Sequence, residues 1–176
     1  YWQRWVAILA KFYGLRPLFK EIPPNCSAAG VGGSQDILAY CFMPISIGGV
    51  HGIMDWAVCA DPGQEHVPPL LPITYLKQVD ACIEPAQNRM VFRKCGDAVA
   101  MLTDLESKHQ TTSMLNFGER PWHMDDYWAD HFHNKFGCNP FLLENEVGHQ
   151  PTDPRLQVDK LIDLAPDDMP DQRNCD

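Results

Sequence analysis

The stretch that most limits the fold is "HVPPLLPITYLKQVDACIEP", residues 66–85. Pro68, Pro69 and Pro72 fence Leu70 and Leu71. Each proline holds φ near about −65° and lacks a backbone N–H, so no helix runs through the leucine pair. The pair reads as a buried strand end, and each leucine adds about 1.5–3 kcal/mol if fully buried. "ITYLKQV" then spaces Ile73, Leu76 and Val79 along one face, with Lys77 and Gln78 opposite, as one covering helical turn. "ACIEPAQNRMVF" reads as a hairpin with its turn at Ala86 to Asn88.

The same punctuation recurs along the chain. Fifteen prolines and twelve glycines in 176 residues favour short elements joined by turns. "YWQRWVAILAKFYGL" places Trp2, Trp5, Ile8, Leu9 and Phe12 at helical spacing, with Gly14 as C-cap. "RPLFKEI" is a short extended piece stopped by Pro23-Pro24, and "SAAGVGGSQ" is a glycine-rich connection. "ILAYCFMPISIGGVHGIMDWAVCAD" is dense in strand formers and reads as two or three short strands, broken at Pro44, Gly48-Gly49 and Gly52. "AVAMLTDL" and "TTSMLNF" make a further strand pair around "ESKHQ". Beyond Gly118 the periodicity weakens, although "PWHMDDYWADHFHNKF" admits a helix. The expectation is a mainly β chain in three parts. An amphipathic helix and connector occupy 1–21, a compact β region 22–117, and a poorly ordered acidic extension, helical in part, 118–176.

A net charge of −9 argues against a nucleic-acid partner, because phosphate binding needs clustered Lys and Arg. No apolar run reaches the roughly 20 residues needed to span a bilayer. Seven cysteines with no CxxC pair suggest free thiols in a reducing, cytoplasmic compartment. No h-region with a small-residue cleavage site is visible near the start. The chain opens on Tyr1 and reads as a fragment of a longer product.

Three stretches together resemble the retropepsin-like aspartic proteases of retrotransposon polyproteins. They are "AAGVGG" followed by "CFMPISIGGVHGIMDWAV", then "VPPLLPITYLKQVDACIE", then the returning strand "NRMVF". "LRPLF" and "LESKHQTTSMLNF" extend the likeness over roughly residues 1–117. The resemblance implies a partial acid-protease barrel that works as a homodimer on a peptide or polyprotein substrate, with no cofactor. It also implies that Gly30, Val31 and Gly32 form a flap tip whose main chain pairs with an extended substrate. Leu70 and Leu71 would then pass beneath the active-site loop and support it. Pro72, Asp80 and Glu84 depart from the family, which carries Gly, Gly and Asp at the matching places.

The family's chemistry needs two carboxylates sharing a proton, one from each subunit, on an Asp-Ser/Thr-Gly loop. No such triplet occurs in these 176 residues. Asp61-Pro62-Gly63 is the nearest imitation, but its proline offers neither hydroxyl nor N–H, and it reads as a surface turn. Asp36 and Asp55 lack the flanking residues. The catalytic loop is expected upstream of Tyr1, so no catalytic residue is assigned. His123, His131 and His133, with nearby Asp and Cys138, carry metal-ligand chemistry. No His-x₃-His pair exists, however, and on a helix positions i and i+2 diverge, so a polar linker is the expectation. No motif flags a cysteine nucleophile, and the glycine runs lack the Lys-Ser/Thr of a phosphate loop. The reading is an inactive fragment of an aspartic endopeptidase; the alternative is a non-catalytic β module that binds peptides or itself.

Overall fold

The computed structural model describes residues 2–22, 26–30, 33–60, 70–104, 110–118 and 120–168. Their contacts gather into two compact units, each drawn from separated stretches of chain. The first takes residues 1–44, 53–68 and 124–167; the second takes 45–52, 69–123 and 168–176.

The first unit opens with α1 (Trp2–Tyr13). The helix ends where Gly14 and Leu15 return their N–H groups to the carbonyls of Ala10 and Leu9. Its middle, Val6 to Ala10, is buried on every side rather than along one stripe. The pattern of a helix apolar all round is that of a buried element. Strand β1 (Leu18–Lys20) follows and lies antiparallel to β3 (Gly33–Ile47), with Phe19 opposite Cys41. Strand β2 (Ser27–Gly30) also pairs with β3, and β4 (Val50–Cys59) returns along it. β3 is therefore the common partner of three strands. Phe19, Ala39, Cys41, Val58 and Leu156 form one buried cluster under Trp2 and Trp56. Val6, Ala10, Val158 and Leu161 form another.

Pro44 does not break β3, which runs unbroken for 15 residues. Its nitrogen faces the same way as that of Ser46, whose N–H goes to the Met114 carbonyl at 2.8 Å. Pairing with β1 stops at Phe42. The missing N–H thus falls in a gap of the ladder, where it costs little.

The region beyond Gly118 also departs from expectation. Helix α3 (Asp126–Phe136) is capped by Asp125, whose carboxylate accepts the Trp128 N–H at 3.0 Å, and ends at left-handed Gly137. Phe132 is buried against Phe141, with ring centroids 5.2 Å apart, and stacks on Trp128. Helix α4 (Val158–Leu161) closes over α1, and the Lys11 ammonium donates to the Pro166 carbonyl at 2.8 Å. Through residue 168 the expected poorly ordered extension is in part core. Its few apolar residues sit among acids and prolines, which hides them from a periodicity search.

The second unit contains a short meander. Helix α2 (Ile73–Gln78) follows Pro72, then come β5 (Ala81–Glu84), β6 (Arg89–Phe92) and β7 (Ala98–Met101), paired in that order. Pro85 to Gln87 and left-handed Asn88 turn β5 into β6, as the sequence predicts. The register puts Met90 beside Ala100 and Phe92 beside Ala98, and Met90, Phe92 and Ala100 are buried. On the opposite face Val99 and Met101 are exposed. "AVAM" pairs with β6, while the expected partners around "ESKHQ" are only β8 (Thr103–Asp104) and β9 (Gln110–Thr111). In α2, Val79 is buried just past the helix, but Ile73 is 63% exposed, contrary to its expected covering role.

The β3–β4 hairpin turns at Gly48 and Gly49, both left-handed at φ 59° and 79°. A Cβ on Gly48 would sit 2.6 Å from the Val99 carbonyl oxygen, so this close approach requires glycine. The fold is thus mixed helix and antiparallel sheet rather than mainly β, and the described strands close no barrel.

Candidate functional site

The expected substrate-binding residues lie on the β2–β3 hairpin. Its register runs Ser27 opposite Asp36, Ala28 opposite Gln35, Ala29 opposite Ser34 and Gly30 opposite Gly33. Gly30 is therefore the last paired residue before the tip, while Val31 and Gly32 lie outside the described residues. Among the described strands β2 has β3 as its one ladder partner, which leaves its other edge to accept an added strand.

Leu70 is 75% exposed and Leu71 half-buried, against the expected burial of both. That expectation placed the pair as a strand end enclosed by the rest of a barrel sheet, and the described strands close no barrel around it.

The described carboxylates are engaged singly or stand in solvent. Asp55 holds the Lys20 ammonium at 2.6 and 2.7 Å, and the same ammonium lies 4.4 Å from the Phe42 ring centroid. Glu84 pairs with Arg89, the residue opposite it in the β5–β6 register. Asp36 is exposed on β3, and Asp80 occupies a left-handed turn position at φ 49°. Asp61 lies outside the described residues. Among the described residues each of these carboxylates is paired with a cation or exposed.

His131 and His133 are exposed on α3, where His131 packs its ring beside Trp128 and Phe132. Among the described residues no three His, Cys, Asp or Glu side chains gather as a metal site would require. His123 belongs to the second unit and meets His51 instead, Nδ1 to Nδ1 at 3.0 Å. The sequence reading missed His51, since nothing local links two residues so far apart.

The six described cysteines are free thiols. Burial, reinforced by Asp55, pushes the Cys41 thiol far above its ordinary range and makes it a poor nucleophile. Burial likewise pushes the Tyr75 hydroxyl up to about 12, beside Phe92. No helix among the described residues is long and apolar enough to cross a membrane. Comparison with protein-family models, with curated proteins and with solved structures finds no match to this chain.

Proposed function

We propose that the chain is the substrate-binding and structural part of a retropepsin-like aspartic endopeptidase that processes a retrotransposon polyprotein and functions as a homodimer. The observation that carries the reading is the order of elements from residue 27 to residue 84. The paired strands β2 and β3 are followed by a Gly-Gly turn and β4, then by one short helix and β5. That order fits the motif order on which the resemblance rests. In this reading Gly30, Val31 and Gly32 close over an extended peptide, which adds as a strand to the free edge of β2. In the same reading Leu70 and Leu71 support the aspartate-bearing loop once it is joined, which requires Leu70, now exposed, to gain cover. The chain alone supplies no acid–base pair, so it binds peptide without cutting it.

The test joins the chain to the segment encoded upstream of Tyr1. The extended protein cleaves unstructured polypeptide at mildly acid pH, is blocked by a pepstatin-type inhibitor, and loses activity when the Asp of an upstream Asp-Ser/Thr-Gly is changed to Asn. An upstream segment without that triplet sinks the reading. The 176-residue chain by itself shows neither cleavage nor a melting shift with the inhibitor.

The β2 edge, which has no second ladder partner among the described strands, favours a second reading: a non-catalytic module that captures extended peptides or a second copy. Peptide capture that persists when the upstream segment lacks the triplet selects it.

A further inference from the structure

In the second unit, residues 114–118 and 120–123, together the strap, run along the hairpin tip formed by residues 45–52. Ser46 N–H donates to the Met114 carbonyl at 2.8 Å, and Asn116 N–H donates to the Ser46 carbonyl at 3.0 Å. The Ser46 hydroxyl donates to the Asn116 carbonyl, and the Trp122 indole N–H to the Gly52 carbonyl at 3.2 Å. Met114, Leu115 and Phe117 of the strap are buried. The His51–His123 pair adds a further tie.

What surrounds each ring fixes its tautomer. The Phe117 carbonyl accepts only, so His51 Nε2, 3.2 Å away, carries the hydrogen. A neutral His51 then presents a bare Nδ1. The backbone N–H of His123, which donates only, points at that atom from 3.3 Å. The short Nδ1–Nδ1 approach therefore has His123 donating and His51 accepting.

The two rings respond differently to acid. A proton added to His123 settles on its Nε2 and leaves the bond intact. A proton added to His51 has only Nδ1 to occupy, where two N–H groups already point. We propose that the His51–His123 pair is an acid-opened clasp, in which protonation of His51 releases the strap that carries Met114 to Phe117, Trp122 and His123 from the hairpin tip. Opening uncovers Met114, Leu115 and Phe117, so the acid form presents an apolar surface that the neutral form hides.

Among the described residues the titratable or charged groups acting on His51 are His123 and Arg120, both on the strap. Burial first, then these two groups, holds the His51 pKa below the ordinary histidine value, against the pull of the Phe117 carbonyl. The folded value lies below the unfolded one. The clasp's stabilisation is therefore complete above the unfolded value and is lost as pH falls through the folded value. The clasp rests on contacts within one unit and is independent of the protease reading.

Amide hydrogen exchange on the intact chain between pH 7.5 and 5 tests it. After correction for intrinsic exchange, protection of the Ser46 and Asn116 amides falls by up to about tenfold per pH unit between the unfolded and the folded His51 pKa, one proton being taken up per opening, and levels off below the folded value. Amides of α3 serve as the reference and hold their protection. In His51→Phe strap protection is lower than in the unaltered protein at neutral pH and no longer changes with pH. Strap protection that does not change with pH, or a pH dependence that survives in His51→Phe, overturns the proposal. Long-range ¹H–¹⁵N spectra of the unaltered protein give an arm that needs no variant. At neutral pH His51 shows the Nε2–H tautomer with a bare Nδ1, and the opposite tautomer overturns the clasp.

Discussion

Val6 and Ala10 of α1 find their partners in Val158 and Leu161, near the far end of the described chain. Met90 and Phe92 of β6, by contrast, find theirs in β5 and β7, a few residues away on either side. The first unit thus joins distant segments around a helix whose middle is buried, whereas the meander of the second is a local assembly with Val99 and Met101 exposed on one face. The difference sets where each unit is vulnerable. Where partners are distant, one lost side chain removes the reason for several segments to meet. Where they are local, the turns matter more than any single apolar contact.

The largest effect is expected in the first unit. Phe132→Ala empties a site enclosed by Trp128, Phe136 and Phe141 and should cost about 3–5 kcal/mol in urea unfolding. A loss below about 1 kcal/mol would mean that α3 is not part of that core. In the second unit the turn carries the next effect. Gly48→Ala meets both a left-handed φ and the Val99 carbonyl, and should cost about 2 kcal/mol or more. Gly49→Ala has open space around it and should lose only about 1 kcal/mol, from its φ alone. Equal midpoints for the two variants would place the Val99 backbone elsewhere.

Smaller still is the cap of α3: Asp125→Ala should lose about 1 kcal/mol, read from the same urea midpoints. Asp125→Asn, which keeps an acceptor, should recover most of it. Leu70→Ser should shift stability by less than about 0.5 kcal/mol, because the side chain is already in solvent. If joining the upstream segment raises that cost to about 2 kcal/mol, Leu70 has acquired the cover that the protease reading demands.

The two routes also explain what the sequence discloses. The helix of α1, the turn of α2, the β5–β6 hairpin with its Asn88 and the Gly48-Gly49 reversal all rest on residues close together in the chain, and periodicity or turn chemistry finds them. The role of residues 120–168 does not rest on such signals. Phe132, Phe141, Leu156 and Leu161 are separated by prolines and acids, and only their distant partners make them core. Pro44 misleads for the same reason, since its tolerance depends on where β1 stops and where Met114 arrives. At the candidate site, "SAAGVGGSQ" reads as a glycine-rich connection, whereas Ser27–Gly30 pairs as a strand with the residues from Gly33 onward, because the ladder partner across the turn supplies the order that the glycines alone do not. The exposure of Leu70 and the meeting of His51 with His123 are not legible either, because both depend on what covers or approaches them from elsewhere.

The burial of α1 has a consequence in time. During synthesis at about 5–20 residues per second, Val6 and Ala10 leave the ribosome on the order of ten seconds before Val158 and Leu161 exist to receive them. For that interval α1 is an apolar helix without its lid, open to chaperones and to neighbouring nascent chains. Completion of the first unit is a late event that its earliest residues must wait for.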